Sequence, residues 1–124
     1  MQNDALTERV IGCCFNVHNQ LGPGFPERIY QHALERALGQ VGIAFVSQRS
    51  FRVSFDGATV GSFQVDSLID GRVVVELKAI TGMMPKVFEA QVIAYLKAAQ
   101  LPVGLLVNFG NVSCQVRRLA LKRS

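Results

Sequence analysis

The chain is organised around a nine-residue segment, Arg72-Val73-Val74-Val75-Glu76-Leu77-Lys78-Ala79-Ile80, which reads as a buried strand that carries charge. Its β-branched and apolar residues are typical of a central strand covered on both faces. Glu76 and Lys78 are two residues apart, so both project from the same face. Because burial of unpaired charges is costly, they form either a satisfied ion pair or a working site. The spacing favours a site in which the carboxylate binds a divalent cation while the lysine orients or deprotonates a water.

A second acid, Asp66, lies in the preceding predicted strand between apolar neighbours, where we expect it to be half-buried. Whether it can meet Glu76 depends on the turn at Asp70-Gly71. A two-residue hairpin would pair Asp66 with Val75 and leave the two acids on opposite faces of the sheet. A three-residue loop would instead pair Asp66 with Val74 and make it a diagonal neighbour of Glu76 on the same face. A shared metal requires the second geometry.

Hydrophobic periodicity predicts the remaining elements. Apolar residues at intervals of three and four predict three helices, over 4–20, 26–41 and 85–99. Alternating or continuous apolar runs predict four further strands, over 45–55, 59–69, 103–109 and 112–121. The helix between the Glu76 strand and the strand that follows it implies that these two strands pair in parallel. The fold class is therefore a mixed α/β sheet flanked by helices, in the order helix, helix, three strands, helix, two strands.

The bulk properties set limits on size and partners. A chain of 124 residues has room for one hydrophobic core, so we expect residues 1–124 to form a single domain. The formal net charge of +4 and a pI near 9.3 favour a polyanionic partner such as nucleic acid. Four basic residues cluster near the C-terminus, although a solvated tail would have the same pattern: Arg117, Arg118, Lys122 and Arg123.

The three cysteines, Cys13, Cys14 and Cys114, are odd in number and include no C-x-x-C pair. This pattern argues against a disulfide framework and against a zinc site. No apolar run approaches the length of a membrane span, and no signal-like segment opens the chain. We therefore expect a cytoplasmic protein with reduced thiols and no membrane partner.

Three further polar residues each have two interpretations. Glu27 lies in the first turn of a predicted helix, where it either favours the helix dipole from a solvated position or aims its carboxylate across a Gly-rich turn into a cleft. Gln91 and Tyr95 are four residues apart on a later helix and so project together. They are either ordinary polar residues at an amphipathic edge or part of the cleft that holds Glu76 and Lys78.

The order of these motifs carries a family resemblance. Gly24-Phe25-Pro26-Glu27-Arg28-Ile29-Tyr30 is a G-x-x-E-x-x-Y stretch, and it is followed by Asp66, by Glu76-x-Lys78 and by Gln91-x-x-x-Tyr95. The chain resembles, over essentially its whole length, the GxxExxY protein family of the PD-(D/E)xK nuclease superfamily. The resemblance implies a restriction-endonuclease-like fold, with an αβββαβ core and an extra N-terminal helix.

The resemblance also implies roles for individual residues. Asp66 and Glu76 would be the metal-binding acids, with the backbone carbonyl of Leu77 as a further ligand and Mg²⁺ or Mn²⁺ as the cofactor. Lys78 would be the catalytic lysine. Three more residues would contribute to the catalytic site: Glu27, also a candidate metal ligand, and Gln91 and Tyr95, which match the Q-x-x-x-Y element of the RecB-like branch.

Three hypotheses follow for function. The first is a metal-dependent nuclease that hydrolyses phosphodiester bonds, with DNA as the favoured substrate. The second is a module that keeps the nuclease fold and binds nucleic acid or a protein partner without turnover. The third makes Glu76 and Lys78 a structural ion pair. Because so small a chain has little surface beyond the cleft, engagement of a duplex would call for a homodimer or a partner protein.

Overall fold

The structure, a computed structural model, describes residues 4–121, so Lys122 and Arg123 of the basic cluster lie outside it. The predicted order of elements is confirmed: α1 (Asp4–Leu21), α2 (Glu27–Gln40), β1 (Phe45–Phe55), β2 (Ala58–Ile69), β3 (Val73–Lys78), α3 (Lys86–Ala99), β4 (Val103–Asn108) and β5 (Gln115–Ala120). The last strand begins three residues later than the apolar pattern predicts, because residues 112–114 form part of the loop before it.

The five strands form one mixed sheet in the order β1-β2-β3-β4-β5. β3 and β4 pair in parallel, from Val73 opposite Val103 to Lys78 opposite Asn108, as the intervening helix predicts. The other neighbouring strands pair antiparallel. The strand that carries Glu76 and Lys78 therefore lies in the middle of the sheet.

Helices cover the sheet on both faces. One core cluster joins α1 and α2 to the face of β3 that carries Val73, Val75 and Leu77. A second cluster joins α3 to the opposite face, which carries Val74. Since side chains alternate along a strand, Glu76 and Lys78 belong to the Val74 face and project towards α3.

The turn between β2 and β3 differs from both geometries considered above. Asp70 and Gly71 have positive φ values of 52° and 67°, and the Arg72 amide donates a 2.9 Å hydrogen bond to the Ile69 carbonyl. Yet Ile69 pairs with Val73, which leaves Arg72 as an extra residue on one side of the hairpin. Both predicted pairings of Asp66, with Val75 and with Val74, are therefore wrong. One step beyond the last regular pair, Ser67–Val75, the same register would bring Asp66 opposite Glu76.

The β1–β2 hairpin bends at Gln48, whose φ is 53°. The regular pairing skips this position and resumes with Arg49 opposite Val65. Phe45 and Phe51 are an even number of residues apart, so in a regular strand they would lie on the same face. Here Phe45, before the bend, packs in the α1–α2 cluster, whereas Phe51, beyond it, packs in the α3 cluster. The bend thus turns the outer part of the hairpin towards α3.

None of the three helices in the described part of the chain has the length and apolarity that a membrane crossing requires. Cys13 and Cys14 are buried and Cys114 is half-buried, and all three are free thiols.

Candidate active site

Asp66 and Glu76 meet where β2 and β3 separate. The Leu77 amide donates a 2.7 Å hydrogen bond to Oδ2 of Asp66, and the Asp66 amide donates a 3.3 Å hydrogen bond to Oε1 of Glu76. Regular pairing of β2 with β3 ends at Ser67, whereas β3 stays paired with β4 to its last residue. The two carboxyl groups therefore occupy an opening in the sheet, each held by the backbone of the other's strand.

The acid pair is electrostatically strained. Glu76 is only 7% exposed. Burial raises the pKa of Glu76 to about 8, and Asp66 adds to the shift through its charge and a side-chain hydrogen bond, while Lys78 acts in the opposite direction. These influences favour the protonated form of Glu76 in the absence of a cation. A divalent cation between the two carboxylates would replace that proton and remove the repulsion.

Lys78 lies beside the acids without pairing with them. Its Nζ atom lies 4.3 Å from the centroid of the Phe88 ring, which is a cation–π contact with α3. Its charge lowers the pKa of both Glu76 and Glu27, so the ammonium group is within electrostatic range of both. Among residues 4–121, ion pairs join Arg72 to Asp70 and Arg117 to Glu89, and none joins Glu76 to Lys78. An ion pair between the two residues therefore does not explain the burial of Glu76 and the partial burial of Lys78.

Glu27, in the first turn of α2, is coupled electrostatically to the acid pair. The residue is exposed, yet desolvation of its carboxyl group is the first cause that raises the pKa of Glu27, followed by the charge of Asp66. The same carboxyl group responds to Lys78 in the opposite direction. Glu27 thus lies within electrostatic range of both residues.

Tyr30, the last residue of the G-x-x-E-x-x-Y stretch, holds the start of α2 in place. Its fully buried hydroxyl donates a 2.5 Å hydrogen bond to the Gly22 carbonyl and accepts a 3.2 Å hydrogen bond from the Phe25 amide. Its ring stacks on Phe109 with 4.6 Å between centroids. The tyrosine therefore fixes the loop from which Glu27 emerges.

Gln31 is a site-supporting residue that sequence reasoning missed. It follows Glu27 by one helical turn and is buried. Its Nε2 atom donates a 2.8 Å hydrogen bond to the Asp66 carbonyl, and its Oε1 atom accepts a 2.9 Å hydrogen bond from Gln48. The spacing of four residues from Glu27 is the signal that could have revealed it, because such residues share a helix face. Gln31 ties α2 to the bend of the hairpin at the acid pair.

Helix α3 brings Tyr95 within electrostatic range of the acid pair and carries Gln91 one turn before it. Burial raises the pKa of Tyr95, and the charges of Glu76 and Asp66 add to the shift. The Tyr95 ring stacks on Phe63 of the hairpin with 4.3 Å between centroids. Gln91 is exposed and makes no hydrogen bond with the described residues.

The atoms available as metal ligands suit a hard cation that needs few ligands from the protein. Within residues 4–121 no group of three or more His, Cys, Asp or Glu side chains is arranged to hold a metal. Two carboxylates are nevertheless enough for Mg²⁺, which keeps several waters. The Leu77 amide points at Asp66, and because the N–H and C=O of one strand residue point to the same side, the Leu77 carbonyl faces the same opening. All of these candidate metal ligands are oxygen atoms, from two carboxylates and one carbonyl.

His18 has a structural role in the described contacts. Its buried ring forms a 2.8 Å hydrogen bond with the Asn111 carbonyl and stacks against Phe109. These contacts tie the end of α1 to the loop between β4 and β5.

Comparison with known proteins agrees with this arrangement. Residues 4–119 match the family model of the PD-(D/E)XK nuclease superfamily. The crystal structure of SSO0001 superposes with a TM-score of 0.59 at 17% sequence identity, over 78% of this chain and 50% of that one. The chain thus spans about half the length of that solved structure, and the likeness shows the fold alone, which is restriction-endonuclease-like. No curated protein matches the chain.

Proposed function

The chain belongs to the PD-(D/E)XK nuclease superfamily, and on that premise we propose that it is a divalent-metal-dependent nuclease that hydrolyses phosphodiester bonds in DNA. The observation that carries the proposal is the meeting of Asp66 and Glu76 in an opening of the sheet, with Lys78 next along the same face. Within the superfamily we assign the chain to the GxxExxY branch, because Glu27 of that motif lies within electrostatic range of Asp66 and Lys78 and Tyr30 fixes the loop before it. The three free thiols suit a cytoplasmic protein.

Asp66, Glu76 and the Leu77 carbonyl would hold the cation, which we propose is Mg²⁺ or Mn²⁺, and Glu27 is an additional candidate ligand. When bound, such a cation polarises the scissile phosphate and acidifies water. The chain's own contribution is a fixed pair of carboxylates, since backbone amides on neighbouring strands bind each of them. This preorganisation means that little side-chain freedom is lost when the site is loaded.

Lys78 would orient the attacking water and stabilise the negative charge that develops on the phosphate. Its ammonium group is available for this task, because Phe88 is its contact in the structure and no carboxylate neutralises it directly. Tyr95 and Gln91 would line the cleft from α3 and position the phosphate or the water.

A second function, a nucleic-acid-binding or partner-binding module without turnover, is favoured by one observation. The raised pKa of Glu76 favours its neutral form, so the acid pair without metal carries less negative charge than two ionised carboxylates would. Calorimetric titration separates the two functions. A nuclease must bind Mg²⁺ or Mn²⁺ at millimolar concentration or tighter, and a binding module need not bind either.

Cleavage of labelled DNA tests the proposal directly. Single-stranded, double-stranded and branched DNA, with RNA in parallel, are incubated with Mg²⁺, with Mn²⁺ or with EDTA. The Glu76→Gln variant keeps the size of the buried side chain and removes its charge. The matched control is Glu8→Gln, the same substitution at an exposed position of α1. We expect cleavage that requires metal, is lost in Glu76→Gln and persists in Glu8→Gln. Equal cleavage by the Glu76 variant would refute the assigned site.

A further inference from the structure

The β1–β2 hairpin extends well beyond the sheet. β2 pairs with β3 only through Ser67–Ile69, yet β1 and β2 remain paired over seven further residue pairs, from Arg49–Val65 to Phe55–Ala58. At the usual rise of a strand, this projection, which we call the arm (residues 49–65), is roughly 20 Å long. So long a projection is not needed to complete the core sheet.

The arm has one covered face and one open face. Phe51 and Phe63 stack on each other and pack against the α3 cluster. The opposite face carries two adjacent pairs of exposed polar residues, Ser50–Gln64 and Arg52–Ser62. This polar face contains no acidic residue, and Arg52 forms no ion pair with any residue of the described range. Hydroxyl, amide and guanidinium donors without a competing carboxylate are the groups that contact nucleic-acid phosphates and sugars.

The tip of the arm has a different character. Phe55 and Val60 are 67% and 62% exposed, on either side of the Asp56-Gly57 turn. The Asp56 carboxylate at the turn repels phosphate, so the tip is unsuited to a charged backbone. Phe55 alternates with Phe51 and Val53 along β1, so its ring leaves the arm at the tip on the side opposite to Arg52. An exposed aromatic ring at the end of an arm is suited to stacking on a nucleobase, which every sequence offers.

We propose that the arm is the surface on which the protein holds its nucleic acid, with the polar face along the sugar–phosphate backbone and with Phe55 stacked on an unpaired base where the nucleic acid passes over the tip. The polar face ends at Gln64, two residues before Asp66, so a strand held along β2 leads to the acid pair. The inference rests on the proposed nuclease function for its partner class. It adds the contact surface and a preference for single-stranded or unpaired segments.

Binding assays test the arm separately from cleavage. A labelled single-stranded oligonucleotide and its duplex are titrated with protein in EDTA, so that no cleavage occurs, at several salt concentrations. Arg52→Gln should weaken binding to both about threefold to tenfold and reduce the slope of the salt dependence by about one. Phe55→Ala should weaken binding to the single strand about tenfold and affect the duplex much less.

Two variants outside the arm are matched controls. Arg36→Gln removes the same charge from exposed α2, and Phe15→Ala removes an exposed phenylalanine from α1. Both should bind within about twofold of wild type if the arm is the contact surface. Circular dichroism and thermal unfolding establish that every variant is folded.

Several results would overturn the inference. One is equal loss of binding in the arm variants and their controls, and another is absence of binding by the wild-type protein. A third is a change of oligomeric state in the arm variants with nucleic-acid binding intact, which would make the arm an interface between copies of the chain. Metal-dependent cleavage with wild-type kcat/KM in both arm variants would refute the arm and leave the nuclease standing. If nucleic-acid binding depends on the arm but no cleavage occurs, the arm is supported and the proposed nuclease activity is refuted.

Discussion

The Leu77 amide and the Asp66 carboxylate are joined by a 2.7 Å hydrogen bond across the point where β2 and β3 stop pairing. This bond takes the place of the next backbone bond between the two strands. It also aims the carboxylate into the opening that Glu76 shares. An acidic side chain here thus has a structural task as well as the chemical task that we propose for it.

Asp66→Asn separates these two tasks. The asparagine carbonyl can still accept the Leu77 amide, so the thermal stability of the metal-free variant should stay close to that of wild type. The loss of one carboxylate should abolish the increase in Tm that millimolar Mg²⁺ or Mn²⁺ gives the wild-type protein. Differential scanning calorimetry with and without metal measures both effects. A variant that is still stabilised by metal like wild type would show that Asp66 is not a ligand.

Lys78→Ala should lower kcat by about 10² to 10⁴-fold, because it removes the group assigned to orient water and stabilise charge. The fold should survive, since the lost contact is a half-buried cation–π interaction with Phe88. Single-turnover cleavage on saturating DNA is the measurement. Lys86→Ala, an exposed lysine at the start of α3, is the control and should keep wild-type kcat. Similar rates for the two variants would contradict the role of Lys78.

The stability of the metal-free protein should fall as pH rises from about 4.5 to about 8. Burial raises the folded-state pKa of Glu76 to about 8, so in this window the folded protein keeps a proton that the unfolded chain has released. The loss should be on the order of a few kcal/mol in the free energy of unfolding. Urea unfolding at a series of pH values measures it. Glu76→Gln should flatten this part of the profile and Glu8→Gln should not; an unchanged slope in Glu76→Gln would assign the effect to other groups.

Gln31→Ala should destabilise the protein by about 1–3 kcal/mol, because it leaves the Asp66 carbonyl and the Gln48 amide without their side-chain partner. It should also lower kcat, since the backbone that presents Asp66 loses its tie to α2. His32→Ala, at an exposed position next along the same helix, should change neither quantity. Stability loss with wild-type kcat would confine Gln31 to a structural role.

Gly110→Ala should prevent stable folding. A Cβ atom there would lie 2.1 Å from the Ile80 carbonyl oxygen, and Ile80 is also held through both its amide and its carbonyl by the Asn108 side chain. Backbone on both sides leaves no room to relax. Gly12→Ala is the contrasting variant, because its Cβ would meet nothing within 4 Å on helix α1, and it should stabilise by about 0.5–1 kcal/mol. A folded Gly110→Ala protein of wild-type Tm would refute this close contact.

The sequence was sufficient to predict β3 and the parallel pairing of β4, because a β-branched run and an intervening helix leave few alternatives. It also predicted that Glu76 and Lys78 share a face. It was insufficient for the β2–β3 register, since turn residues such as Asp70 and Gly71 are compatible with several loops and the displaced Arg72 has no local signature. The support by Gln31 and the stacking of Tyr95 on Phe63 depend on contacts between distant elements, which no local pattern specifies.

The hairpin origin of the acid pair bears on how the chain folds. Asp66 and Glu76 are ten residues apart in sequence, whereas Val73 and its β4 partner Val103 are thirty apart. Since short loops close at lower entropic cost, we expect the two carboxylates to come together before the parallel strands do. At that stage the pair is still hydrated and its repulsion is screened. Since α3 packs on the face of the sheet that carries Glu76, we expect the desolvation of Glu76 to follow when this helix docks. The unfavourable acid pair would then oppose a late step of folding and leave the first hairpin contacts unhindered.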